Sequence, residues 1–132
     1  LFRGFDLALN GNGGNLFVAI TRVQYEGVED AQNPNNEYFE VTRDNRFAPQ
    51  VLDLTGFYVT TRAGLTFTFP QGFTLVPGQE TARVYVGSGQ NGGTTLYWGQ
   101  KAGVLDNKVE CVSFFNKANV IRNRVGWGLG CP

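Results

Sequence analysis

The segment from residue 54 to residue 99 alternates apolar and polar side chains and stops repeatedly at glycine and proline. At its centre, Leu65, Phe67 and Phe69 alternate with Thr66 and Thr68, which is the period of a strand with one buried face. The glycine and proline residues at 70–72 and 76–79 suit tight turns. No window of the chain sustains helical spacing, so the pattern predicts an all-β sandwich or barrel.

Further strands follow from the same alternation. An N-terminal strand is predicted over residues 1–9, and the Gly/Asn-rich residues 10–15 link it to the rest. The other predicted strands cover residues 16–25 (with a possible bulge near Arg22), 37–42, 51–61, 65–69, 81–86, 108–115 and 120–127. We therefore predict about eight or nine strands plus the N-terminal one, and divide the chain into an N-terminal strand and linker, 1–15, and a sandwich domain, 16–132.

Charge and residue usage limit the function classes. Eleven basic residues balance eleven acidic ones, so nothing indicates a nucleic-acid binder with a basic surface. No apolar run reaches the roughly 20 residues that span a bilayer. Histidine is absent, which removes the commonest general base and metal ligand, and the acidic residues are scattered. We expect a protein that is not an enzyme and that uses no cofactor.

The start of the chain and its cysteines bear on the compartment. The chain starts at Leu1 and contains no methionine, which is expected of a processed, secreted product, with a trimmed piece as the alternative. Cys111 and Cys131 are the two cysteines. They fit one disulfide formed in an oxidising compartment, while free thiols or a bridge between two chains are the alternatives.

Three groups of residues are weighed as ligand sites. Tyr97, Trp98 and Trp127 could form an aromatic platform for a sugar, although core packing is the commoner role of such residues. The weak calcium candidates, in or beside an oxygen-rich loop that lacks EF-hand spacing, are Glu26, Glu29, Asp30 and Glu37. Residues 87–92 (GSGQNG) match the dinucleotide pattern GxGxxG, but a strand or loop follows them, so a tight loop is predicted.

Residues 16–115 resemble a lamin tail domain. The matching pieces are 37–41 (EYFEV), 54–57 (LTGF), 67–70 (FTFP) with Gly72, 75–79 (LVPGQ) and 96–99 (LYWG), in the family's order. Phe57 stands where the family usually has tryptophan, and residues 104–109 are a weakened form of its "WNNDGD"-like turn. The resemblance implies an immunoglobulin-like sandwich that serves as a binding or structural module and has no catalytic residues. The family includes nuclear lamins and secreted prokaryotic surface proteins.

The N-terminal strand is the main functional prediction. Its apolar side chains, Leu1, Phe2, Phe5, Leu7 and Leu9, cannot be buried by a lone strand. The strand can pack on its own domain, or it can complete the sheet of a neighbouring copy, and repeated head-to-tail addition gives a filament. We expect a self-assembling extracellular surface subunit whose partner is itself. The alternative is a monomeric adhesion module that binds a glycan, calcium or a surface protein.

Overall fold

The computed structural model describes residues 17–25 and 33–131 and the backbone of Gly4–Asp6. Within these residues the chain is built from strands and one short 3-10 turn, Pro34–Asn36. The strands are β1 (Gly4–Asp6), β2 (Val18–Gln24), β3 (Tyr38–Arg43), β4 (Leu52–Asp53), β5 (Tyr58–Thr60), β6 (Thr66–Thr68), β7 (Thr74–Leu75), β8 (Thr81–Tyr85), β9 (Thr95–Tyr97), β10 (Glu110–Phe115) and β11 (Ile121–Trp127). The predicted all-β class is confirmed.

Two main sheets enclose the core. One has the strand order β1-β2-β3-β8-β9 and the other β11-β10-β5-β6, while β4 and β7 form a separate two-stranded ribbon. Neighbours in the main sheets are antiparallel, except that β9 runs parallel to β8. Because side chains alternate between the faces of a strand, each sheet turns one apolar row inward. The two rows form one cluster with Phe39, Phe69 and Phe114 at its centre. The arrangement is a β-sandwich.

Aromatic rings fill much of the space between the sheets. Phe114 lies 5.7 Å from Phe57 and 6.1 Å from Phe69, and Phe39 lies 6.0 Å from Phe67, all between ring centroids. Burying a side chain of this size contributes roughly 1.5–3 kcal/mol. Phe57 is therefore a core aromatic residue, at the position where lamin tail domains usually have tryptophan.

Most predicted strands are found, but one prediction was wrong. Residues 51–61 do not form a single strand, because the chain turns at 54–57 and separates β4 from β5. The amide of Phe57 donates to the carbonyl of Leu54 at 3.0 Å, and Gly56 between them has φ +79°. A left-handed backbone ends a strand and favours glycine. The short strand β7, which pairs with β4, was not predicted at all.

A bulge and two turns shape these strands, and the predicted bulge and the predicted turn at 76–79 are confirmed. The β2–β3 register shifts between Ile20 and Arg22, which is the expected bulge. Asn119 closes the β10–β11 hairpin with φ +67°, and its amide donates to the Asn116 carbonyl at 3.0 Å. The turn at 76–79 closes with the Gln79 amide on the Val76 carbonyl at 2.9 Å.

Candidate functional site

The candidate assembly site is the outer edge of the five-stranded sheet. There β1 lies antiparallel to β2 of the same chain, with Gly4 opposite Gln24, Phe5 opposite Val23 and Asp6 opposite Arg22. Val23 is fully buried, so this end of β2 belongs to the core. Leu1, Phe2, Leu7 and Leu9, the other residues predicted for the assembly strand, lie outside the described residues.

A side chain from the other sheet bonds the β2 edge at Ile20. The Ile20 amide donates to Asn123 Oδ1 at 3.0 Å, and Asn123 Nδ2 donates to the Ile20 carbonyl at 3.1 Å. Asn123 thus makes the two hydrogen bonds that a neighbouring strand would make at Ile20. Two different groups therefore bond the β2 edge on the two sides of its bulge: Asn123 bonds Ile20 before it, and β1 pairs with Arg22–Gln24 after it.

The two cysteines form a disulfide within the chain. Cys111 on β10 and Cys131 near the chain end are joined with their Cα atoms 4.8 Å apart, and neither is a free thiol. Gly126 and Gly130 allow this close approach, since a Cβ on Gly126 would lie 2.5 Å from the Cys131 sulfur. The disulfide within the chain, which was one of three alternatives that the sequence left open, is confirmed.

Removing this disulfide is expected to destabilise the domain by about 3 kcal/mol, because closing a loop of this length restricts the unfolded chain. The closed loop spans 20 residues of sequence. The double variant Cys111→Ala/Cys131→Ala should show this loss in urea unfolding. The oxidised and reduced wild-type protein should differ by a similar amount, and equal stability of the two would contradict the prediction.

The three aromatic candidates are not brought together. Tyr97 stacks on Tyr85, with ring centroids 5.3 Å apart, on the outer face of the five-stranded sheet. Trp98 packs edge-on against the core ring of Phe39 at 6.3 Å. Trp127 stacks on Tyr25 at 4.2 Å and donates its indole N–H to the Asp106 carbonyl at 2.8 Å. Each ring has a different set of partners, so they do not form one shared platform.

An aromatic and charged cluster on the five-stranded sheet was missed in the sequence. The Arg83 guanidinium lies 4.0 Å from the centroid of the Tyr38 ring, and its Nε donates to Glu40 at 2.7 Å. Its Nη1 donates to the Tyr85 hydroxyl at 3.0 Å. Burial opposes the charged form, but the hydrogen bonds to Tyr85 and Glu40 outweigh it and raise the pKa of Arg83. The sequence does carry a signal for this cluster, because Tyr38 and Glu40 are two residues apart on one strand and Arg83 and Tyr85 are two apart on another. Residues at this spacing lie on the same face of a strand.

Of the calcium candidates, only Glu37 is described. Its side chain is 1% exposed, and Oε1 accepts from the amides of Val104 and Leu105 at 2.8 and 2.9 Å. The carboxylate therefore holds the loop that precedes β10. Glu26, Glu29 and Asp30 lie outside the described residues. In the parts of the chain that the structure describes, no three acidic or cysteine side chains gather as a metal site would need.

The GxGxxG segment is a tight loop between strands, as predicted. It joins β8 to β9, and no helix follows it. A Cβ on Gly87 would collide with Asn35, whose Oδ1 accepts the Gly87 amide at 2.8 Å, and a Cβ on Gly89 would collide with the Tyr97 ring. Close packing thus accounts for both glycines, while phosphate binding by this motif would need a helix N-terminus.

The turn that resembles the family's "WNNDGD"-like segment is anchored by acidic side chains. Asp106 Oδ1 accepts from the amides of Lys108 and Val109 at 2.7 and 2.9 Å. These bonds lower the pKa of Asp106, the Val109 bond most. The Thr55 hydroxyl lowers the pKa of Asp53 in the same way, and the Gly78 amide lowers the pKa of Glu80.

These lowered pKa values predict a loss of stability in acid. The unfolded carboxyl groups have ordinary values of 3.8 for Asp and 4.5 for Glu, so the unfolded state binds protons first as the pH falls. The stabilisation is complete above these values and disappears as the pH falls through the lower folded values. Thermal melting between about pH 7 and pH 3 should show it. Asp106→Asn, which keeps an acceptor oxygen, should flatten the profile, and an unchanged profile would contradict this assignment.

Comparisons with known proteins give no match: no model of a known protein family fits the chain, and no curated protein matches it significantly. Among the described residues there is also no helix long and apolar enough to cross a membrane.

Proposed function

We propose that this chain is a secreted, lamin-tail-like subunit with an immunoglobulin-type sandwich, which assembles by adding its N-terminal strand to the β2 edge of a neighbouring copy. The observation that carries the proposal is the pairing of Gly4–Asp6 with Arg22–Gln24 at the outer edge of the sheet. A strand at a sheet edge can be supplied by another chain in the same register. The disulfide supports a location in an oxidising compartment.

The connection between the two strands is longer than the roughly 2–5 residues of a tight hairpin loop. Residues 7–16 separate the β1 pairing from the residues that enter β2, and ten fully extended residues reach about 33–36 Å. The donor is at the N-terminus and the acceptor is the edge at Arg22–Gln24, so the two surfaces of one subunit differ. A contact of this kind that does not close on itself propagates as a filament.

The acceptor edge has a defined length. Asn123 already bonds the backbone of Ile20, so the segment that an incoming strand would take is Arg22–Gln24, where β1 pairs. Without a strand there, the backbone groups of this edge would face water, and such an unpaired edge is a template for pairing with another strand. This favours a chain whose edge is filled, either by its own strand or by a neighbour's.

Deletion of residues 1–10 tests the proposal. We expect the full chain to form filaments under negative-stain electron microscopy, and the deletion variant to remain small by light scattering while keeping a cooperative melting transition. A synthetic peptide of residues 1–10 should bind the deletion variant, and the same peptide with Phe5→Asp is the matched control. Filaments that persist without residues 1–10 would refute strand addition.

A further inference from the structure

A groove lies on the outer face of the four-stranded sheet, opposite the core. Thr60, Ser113 and Arg124 stand directly opposite one another on β5, β10 and β11. Their neighbours Val59, Phe114 and Val125 point into the core, so these three share the outward face. Together with Arg62, Phe115 and Leu129 they line an open groove of about 540 Å³, which we name the outer groove. This volume lies within the range of small-ligand sites.

The described side chains of the outer groove carry charge of one sign. Arg62 and Arg124 are exposed, and none of the described residues that line the groove is acidic. The positive charge of Arg62 helps to lower the pKa of Asp106, but Asp106 is not among the residues that line the groove. Among the described residues, no ion pair involves either arginine side chain. Guanidinium groups donate only, in a planar fork that matches carboxylate and sulfate oxygens.

The floor and walls supply the other parts of a ligand site. Ser113 is 6% exposed, and the contact of its hydroxyl in the described structure is the Cys111 sulfur at 3.7 Å, which is a weak partner. Leu129 is fully exposed and has φ +59°, an unfavourable conformation for a leucine. Gly128 and Gly130 press against the backbone of Lys108 and Glu110, which holds Leu129 beside the groove. The site thus offers cations, a hydroxyl row and apolar walls.

We infer that the outer groove binds an acidic saccharide. The carboxylate or sulfate oxygens would accept from Arg62 and Arg124, the sugar hydroxyls would bond to Thr60 and Ser113, and an apolar sugar face would rest on Phe115 and Leu129. A peptide is disfavoured, because β5 and β10 each have strands on both sides and leave no free edge for an added strand.

Calorimetric titration tests this site with four probes: an oligogalacturonate, a heparin-derived oligosaccharide, a neutral oligosaccharide of the same length and a poly-glutamate peptide. We expect binding of at least one acidic saccharide and no binding of the neutral one. Each of Arg62→Ala and Arg124→Ala should weaken binding about tenfold or more, because hydrogen bonds to charged groups are strong. The control Lys101→Ala removes the same charge outside the groove and should change the affinity less than twofold, within the ordinary effect of a distant surface charge.

Amide chemical shifts locate the ligand independently of these variants. On titration with the saccharide that binds, shifts should change around Thr60, Ser113 and Leu129 and stay unchanged on the outer face of the five-stranded sheet around Tyr85. Three outcomes would overturn the inference: no acidic saccharide binds, the poly-glutamate peptide binds as tightly as the saccharide, or Lys101→Ala costs as much affinity as the arginine variants.

Discussion

Replacing Arg43 is expected to lower the free energy of unfolding by about 3–4 kcal/mol with alanine and by about 2–3 kcal/mol with lysine, because several charge-assisted hydrogen bonds are lost. Arg43 ends β3 and is only 2% exposed. Its acceptors are the carbonyls of Gln50 at 3.2 Å, Leu75 at 2.7 Å, Ala48 at 3.5 Å and Pro49 at 2.7 Å, together with Asn45 Oδ1 at 2.7 Å. One guanidinium therefore ties residues 45–50 to β7.

Lysine cannot replace this arginine, because all its donors are on one nitrogen, whereas the carbonyls of Leu75 and Pro49 are bonded by different guanidinium nitrogens. Urea unfolding measures the loss. Arg46→Lys is the matched control, since Arg46 is 62% exposed and lysine keeps a cation beside its partner Asp44, which is 6% exposed, and a smaller change of about 1 kcal/mol or less is expected there. An Arg43→Lys variant as stable as the wild type would contradict the role assigned to Arg43.

Replacing Glu110 is the second large effect, with an expected loss of about 3–5 kcal/mol for alanine, because three backbone donors lose their acceptor. The side chain is 2% exposed. Its Oε1 accepts from the amides of Arg62 at 2.6 Å and Cys111 at 2.9 Å, and Oε2 accepts from Asp106 at 3.2 Å. The carboxylate fastens both the turn after β5 and the loop before β10.

Glutamine tests whether both carboxylate oxygens are needed. Since Glu110 accepts at each oxygen, the amide NH₂ of Glu110→Gln would face one backbone donor, and about 2–3 kcal/mol should still be lost. Glu80→Ala is the control, because the Glu80 carboxylate accepts from only one backbone amide of another residue, that of Gly78, and from the Asn45 side-chain amide. This variant should lower the free energy of unfolding by about 1 kcal/mol. A glutamine variant with wild-type stability would show that one oxygen suffices.

The strands and turns could be predicted because they depend on neighbouring residues. The alternation of residues 65–69 and the proline and glycine of 76–79 act locally, and both are found. The break at Gly56 was missed because Leu54 and Phe57 fit a continuous apolar pattern on either side of it. The parallel pairing of β9 with β8 depends on distant parts of the chain and leaves no periodic signal.

The buried charges could not be predicted for the same reason. Arg43 stands at the end of a strand and Glu110 at the start of one, where exposed charged residues are common. What buries them is contact with residues far along the chain, such as Leu75 for Arg43 and Arg62 for Glu110. The N-terminal strand was predicted from its apolar pattern, and its backbone position beside β2 is now known. Whether the strand fills the edge of its own chain or of a neighbour depends on assembly.

Cysteine cross-linking between two chains tests strand addition most directly. Gly4 and Gln24 stand opposite each other in the register, so Gly4→Cys in one chain and Gln24→Cys in a second, size-tagged chain can form a disulfide only when the strand crosses between subunits. Our account predicts a covalent heterodimer on a non-reducing gel after the two variants are mixed, assembled and oxidised, and none from either variant alone. No heterodimer, together with a closed bond within single chains of the variant carrying both substitutions, would contradict it.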